Sequence, residues 1–150
     1  MWIIEDTRQQ TGKHQKKHNW WKTNGDTLIR CKLPFGDYAL PPKVSVDTKA
    51  NLTEIASNMC GAFRERNRFK DECVAAQKCG CKLVFLIECG KKSMDELFGT
   101  EITLGNGRII QGDQLVIAMK TMSSRYGCEF ELVKPSESAH RINEILNGQE

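Results

Sequence analysis

The chain has 150 residues and a mass of 17.0 kDa, the size of one ordinary domain and enough to bury a core. Hydrophobic residues make up 39% and charged residues 27%, which excludes a disordered or fibrous chain. The net charge of +3 is too small to call for a polyanionic partner by itself.

The charge is unevenly placed. Arg8, Lys13, Lys16, Lys17, Lys22, Arg30 and Lys32 face Asp26 alone between positions 8 and 32, a net of +6, whereas the chain from Ala50 onward has a net of −1. A basic front on a near-neutral body suggests a local anionic contact; a solvated charged loop is the plain alternative. No apolar run, Leu83 to Ile87 being among the longest, comes near the roughly 18 residues of a membrane span. Glu5, Asp6 and Arg8 interrupt Trp2-Ile3-Ile4 too soon for a signal peptide. These features predict a soluble, cytoplasmic protein with no membrane contact.

Without an internal repeat or linker, residues 1–150 are expected to form a single domain. Trp2-Ile3-Ile4 predicts a short strand. Gly12 to Asn24 predicts a basic loop with a short helix around Trp20-Trp21. Thr27 to Leu33 alternates as a strand, followed by a Pro34-Phe35-Gly36 turn. Asp37 to Leu40 and Val44 to Lys49 predict two short strands around Pro41-Pro42-Lys43. Leu52, Ile55, Ala56, Met59 and Phe63 mark one helix face, which predicts a long helix from an Asn51 cap to about Lys78, with Gly61 as its weak point. The continuous run Leu83 to Ile87 suits a strand buried on both faces. Glu101 to Leu104 and Arg108 to Ile110 flank Gly105-Asn106-Gly107 as a hairpin. A helix through Leu115 to Met122, a strand over Glu129 to Val133 and a helix over Ala139 to Leu146 complete the chain. This alternation predicts an α/β sandwich with a mixed sheet.

The seven cysteines are odd in number and contain no Cys-x-x-Cys pair, which argues against a disulfide framework or a zinc ribbon. His14 and His18 share a helical spacing but lack a nearby acidic or thiol partner in sequence, so structural zinc is disfavoured.

Two segments carry chemistry. Alternation on the second short strand puts Ser45, Asp47 and Lys49 on one face, and Val44 and Val46 on the other, where the valines are expected to enter the core. Asp37 on the preceding strand is expected to meet Asp47 across the turn. Two carboxylates converging with a lysine suit a hard cation such as magnesium, with Lys49 orienting water or stabilising phosphoryl charge. A surface salt bridge within a polar hairpin is the structural alternative.

These residues resemble the PD-(D/E)xK nuclease signature, and more narrowly the nuclease domain of the XPF/Mus81 group, the ERCC4 domain. Ile3-Ile4-Glu5-Asp6-Thr7-Arg8 is similar to the family's opening strand with its Asp-x-Arg. Leu33-Pro34-Phe35-Gly36-Asp37-Tyr38-Ala39-Leu40 resembles its Gly-Asp-Tyr strand, and Val46-Asp47-Thr48-Lys49 stands where the family has Val-Glu-Arg-Lys. Arg68-Phe69 followed by Glu72 resembles its helical Arg-hydrophobic-x-x-Gln, and Phe85-Leu86-Ile87-Glu88 the strand that follows. Tyr126-Gly127 and the tail to Leu146 fit the remaining elements. In this chain Asp47 replaces the glutamate, Thr48 the arginine and Gln9 a frequent glutamate, while Glu54 follows Thr53 at the place of a further acidic residue.

The resemblance implies a restriction-endonuclease-like three-layer sandwich, with a central mixed sheet flanked by helices. It implies a magnesium-dependent DNA endonuclease, manganese being a possible substitute, that cuts branched or flapped DNA in repair or recombination. By the same resemblance Asp37 and Asp47 are metal ligands, Lys49 is the catalytic lysine and Asp6 is a further acidic member. Arg8 and Arg68 are phosphate contacts, with Arg64 beside Arg68 on one helix face. Lys13, Lys16 and Lys17 would hold phosphates while Trp20 and Trp21 stack on bases; a Trp lid over the core is the alternative. The chain is similar to short stand-alone forms of phages and prokaryotes, acting as a homodimer or with a partner that supplies specificity. The rival expectation is a non-catalytic DNA-binding module with the nuclease fold.

Overall fold

The computed structural model describes residues 1–148. The chain divides into two compact units, Met1–Pro42 and Lys43–Glu150. It has the α/β class that the alternation predicts.

In the first unit the apolar run at the amino terminus forms β1 (Trp2–Asp6), the middle strand of a mixed three-stranded sheet. β2 (Thr27–Cys31) lies parallel to it and β3 (Tyr38–Ala39) antiparallel. The crossover between β1 and β2 carries α1 (Gln15–Thr23), every residue of which keeps part of its surface exposed. Gly36, with φ of +76°, turns the chain back toward β3, a conformation glycine adopts without a side-chain penalty.

The second unit is a three-layer sandwich. β4 (Val44–Lys49), β5 (Lys82–Glu88) and β8 (Glu129–Val133) form a parallel sheet with β5 in the middle. Leu83, Phe85 and Ile87 on one face of β5 join the main core with α2 (Leu52–Cys60), α3 (Phe63–Lys78) and α4 (Gly112–Tyr126). On the opposite face Val44 and Val84 approach Ile145 of α5 (Ser138–Leu146). Burial on both faces explains why β5 is continuously apolar. β6 (Glu101–Thr103) and β7 (Ile109–Gln111) form the expected hairpin.

Three expectations need correction. The helix over 52–78 is two helices, broken at Gly61, whose ψ of −148° leaves the helical range. A Cβ there would lie 2.2 Å from the Ser57 carbonyl oxygen, so the bend requires glycine. Beyond the break Phe63 is 71% exposed, and Phe69 and Cys73 become the buried face of α3. The strands around Pro41-Pro42-Lys43 are not arms of a hairpin: β3 pairs with β1, and β4 with β5. Finally, Val44 and Val46 remain partly exposed on the α5 side, while the face bearing Asp47 and Lys49 is the one that adjoins the main core.

Candidate active site

Parallel pairing puts Asp47 opposite Phe85 and Lys49 opposite Ile87, so both charged residues project from the face of β4 that the core also uses. β4 is an edge strand of its sheet. Lys49 is only 8% exposed as a residue. Its stem lies along the core, its ammonium is 5.6 Å from the centre of the Phe85 ring, and Nζ donates to Asp47 Oδ2 at 3.0 Å. Lysine tolerates such burial because its methylenes are apolar and only its tip needs a polar partner.

α3 brings Glu72 to the same place. Partial burial pushes its carboxyl above the ordinary value, and the Asp47 carboxylate beside it adds to the rise through charge and a hydrogen bond, against the opposing pull of Lys49. Beside this pair lies a polar cleft of about 280 Å³, lined among others by Lys49, Glu54, Asn58, Arg68 and Glu72. Glu54 also closes the start of α2: its Oε2 accepts from the Ala50 amide at 2.7 Å, while Asn51 Oδ1 accepts from the Glu54 amide at 2.8 Å. Asn58 Oδ1 is buried without a hydrogen-bond partner among the described residues.

This donor set fits a divalent cation. The Asp47 and Glu72 carboxylates lie side by side, the Lys49 ammonium pairs with Asp47 at 3.0 Å, and the Asn58 oxygen stands unsatisfied in the adjoining cleft. Among the described residues no group of three or more His, Cys, Asp and Glu converges as a ligand cluster. A pair of carboxylates is what magnesium, which keeps several of its waters, requires of a protein.

The first unit has its own acidic group. Asp6 is 1% exposed, and Arg8 takes both of its oxygens: the Arg8 amide donates to Oδ1 at 2.8 Å, and Nε donates to Oδ2 at 2.9 Å with Nη2 on the same oxygen. These hydrogen bonds hold the Asp6 carboxyl down to about 2. Asp37 is exposed, and its Oδ1 accepts from Gln9 Nε2 at 2.6 Å. Beside them the buried Glu5 carboxylate accepts from Tyr38 Oη at 3.1 Å and lies 2.7 Å from His18 Nε2. Burial pushes the Glu5 carboxyl up, but the hydrogen bonds from His18 and Tyr38 and the charges of His18 and Arg30 outweigh it and leave it below its ordinary value.

The lowered Asp6 carboxyl has a consequence for acid stability. A depressed carboxyl stabilises the fold above its ordinary value and loses that contribution as pH falls through the folded one. The Arg8 lock should therefore weaken only between about pH 4 and pH 2. Arg8→Ala should move acid unfolding, followed by circular dichroism, to higher pH; coincident titrations of the two proteins would refute the lock.

The remaining expected contacts are distributed over both units. Trp21 packs edge-on against Tyr38 with ring centres 5.1 Å apart, whereas Trp20 is 63% exposed. Lys13, Lys16 and Lys17 are exposed, with Lys17 Nζ 5.4 Å over the Tyr38 ring. Arg68 lines the polar cleft of the second unit; Arg64, one turn earlier, is exposed on α3. Glu72 and Asn58 are the site groups that sequence reasoning did not assign. The signal for Glu72 was its place in the Arg68-Phe69 motif, where the resemblance gave it no role; Asn58 offered none.

No protein-family model matches the chain, and no curated protein matches it. Solved structures similar to it include XPF from Aeropyrum pernix, at 16% identity and a TM-score of 0.47. Another is XPF from Aeropyrum pernix in complex with DNA, at 15% identity and a TM-score of 0.48. In both cases 97% of this chain is covered and 63% of the other, so the chain spans less than two thirds of the structures that it matches.

Proposed function

We propose that the protein is a divalent-metal-dependent endonuclease that hydrolyses phosphodiester bonds in DNA, with a preference for branched or flapped substrates. The observation that carries this reading is the Asp47–Lys49 pair, held at 3.0 Å on an edge strand with Glu72 turned toward Asp47 from α3. The ordered motifs around Asp6, Asp37, Asp47, Lys49 and Arg68 support the same reading from sequence.

Asp47 and Glu72 would hold the cation, magnesium or manganese, with Asn58 Oδ1 as a neutral oxygen nearby. When bound, the cation polarises the phosphodiester and lowers the pKa of a water molecule. Lys49 uses one of its three N–H donors on Asp47; the other two are available to a phosphoryl oxygen or to the attacking water. Its ammonium thereby stabilises negative charge as it develops on the phosphorus oxygens. The Arg68 guanidinium in the cleft is suited to the non-bridging oxygens of a flanking phosphate. Burial of the Lys49 stem against Phe85 keeps the ammonium in place before substrate arrives, which spares reorganisation during reaction.

Titration calorimetry with magnesium tests the centre apart from turnover. The native protein should bind the metal, and Asp47→Ala should abolish the heat. Equal heats from both proteins would remove Asp47 from the metal site and with it the proposed centre.

A further inference from the structure

The two adjacent tryptophans of α1 have opposite surroundings. Trp21 anchors the helix, edge-on to Tyr38 at 5.1 Å and stacked with His18 at 6.1 Å, and His18 in turn reaches the buried Glu5. Trp20 points away from that anchor and leaves 63% of its surface in water. The indole is thus not needed as a lid, since its neighbour already fills that role.

The surroundings of Trp20 select for an anion. No acidic residue occurs from Thr7 to Gly25, while Lys13, Lys16, Lys17 and Lys22 all fall in that stretch. Lys16 and Lys17 stand four and three residues before Trp20, on the same side of the helix. Lys17 is drawn over the Tyr38 ring, which leaves Lys16 as an exposed cation one turn before the indole, with Lys13 exposed in the turn that leads into the helix. Of the acids near this sheet, Asp6 is matched by Arg8, Glu5 by His18 and Arg30, and Asp26 by the amino terminus, while the exposed Asp37 accepts from Gln9. An exposed aromatic plane beside uncompensated cations suits a ligand with a flat apolar face and regularly spaced negative charge.

We propose that the outer face of α1 binds single-stranded DNA, with Trp20 stacked on an unpaired base and Lys13 and Lys16 on the adjoining phosphates. Bases within a duplex already stack on one another and do not present a free face, so the platform selects unpaired strand over paired strand. This rests on the reading of the protein as acting on DNA and adds to it the feature recognised: the single-stranded arm of a flap or fork.

The test is fluorescence anisotropy of labelled oligo(dT) about a dozen nucleotides long, within the site sizes such proteins use, in EDTA so that no cleavage occurs. Trp20→Ala should weaken binding by about 5- to 150-fold, the loss of one stacking contact. Trp20→Phe should retain most of the affinity, and blunt duplex should bind both proteins alike. Lys16→Ala should lower the slope of log affinity against log salt by about 0.7, as expected for one phosphate contact to a single strand. On an oligonucleotide of abasic sites, native protein and Trp20→Ala should bind equally. Unchanged oligo(dT) binding in Trp20→Ala would overturn the proposal, as would an equal loss on the abasic strand. A fall in sedimentation coefficient for Trp20→Ala without loss of oligo(dT) binding would overturn it too, by assigning the indole to a contact between copies of the chain. Because metal is withheld, failure of cleavage leaves these results intact, whereas absence of all DNA binding by the native protein would sink both readings together.

Discussion

Lys49→Met should leave the protein folded and able to bind magnesium and DNA, and should slow cleavage by about a hundred- to a thousand-fold. Methionine matches the length and apolar character of the lysine stem, so the packing over Phe85 survives the change. The variant lacks the ammonium, and with it the donor 3.0 Å from Asp47 Oδ2. Asp47 keeps a quarter of its side chain in water and can be hydrated in compensation, so the fold should tolerate its loss of partner. The effect should therefore fall on single-turnover cleavage at saturating DNA rather than on affinity. A variant that cuts at the native rate would show that Lys49 only neutralises Asp47.

Phe85→Ala should be the most damaging change to the core. Phe85 is fully buried in the middle strand of the parallel sheet, with ring centres 4.6 Å from Phe69 on α3 and 5.1 Å from Phe130 on β8. Truncation removes the central ring of this stack and opens a cavity between α3 and the sheet. The expected loss is about 3–5 kcal/mol, a large part of the roughly 5–15 kcal/mol that stabilises a typical domain. In a chain of this size that lowers the melting temperature by about 6–20 °C. The same ring lies beneath the Lys49 ammonium, so Phe85→Ala should also impair cleavage at temperatures where the protein remains folded. Phe85→Leu fills more of the cavity and should recover most of the stability. A melting temperature within about 2 °C of native for Phe85→Ala would contradict the packing described, given the shift expected per kcal/mol.

Much of this arrangement could be read before folding. The run Leu83 to Ile87 was legible as a strand buried on both faces because a middle parallel strand needs no polar side. Asn51 was legible as a cap, and its Oδ1 accepts from the Glu54 amide as that role requires. The break at Gly61 was less visible, since Leu52 to Phe63 keeps a helical spacing across it. Only the close approach of the Ser57 carbonyl explains why the chain bends there. The orientation of β4 misled for a physical reason. Two valines outweigh Asp47 and Lys49 in any hydropathy argument, yet β4 lies at a sheet edge and its valine side faces the thinner α5 layer.

The site was legible in part. Asp47 and Lys49 follow from strand alternation, which puts residues two apart on one side. Glu72 depends on the direction in which α3 crosses the sheet, which no local spacing encodes. The tryptophan pair shows the same limit. Adjacent residues on a helix point about 100° apart, so one could anchor while the other remained free, but which of them did so depended on Tyr38 in β3.

The most direct measurement is cleavage of labelled flapped, branched and plain duplex DNA by the native protein, with magnesium and with EDTA. The proposed function predicts cutting that requires the metal and proceeds faster on flapped or branched substrates than on plain duplex. Binding without cutting, in magnesium and manganese alike, would contradict it and identify the protein as a DNA-binding module in which Asp47, Lys49 and Glu72 perform no hydrolysis.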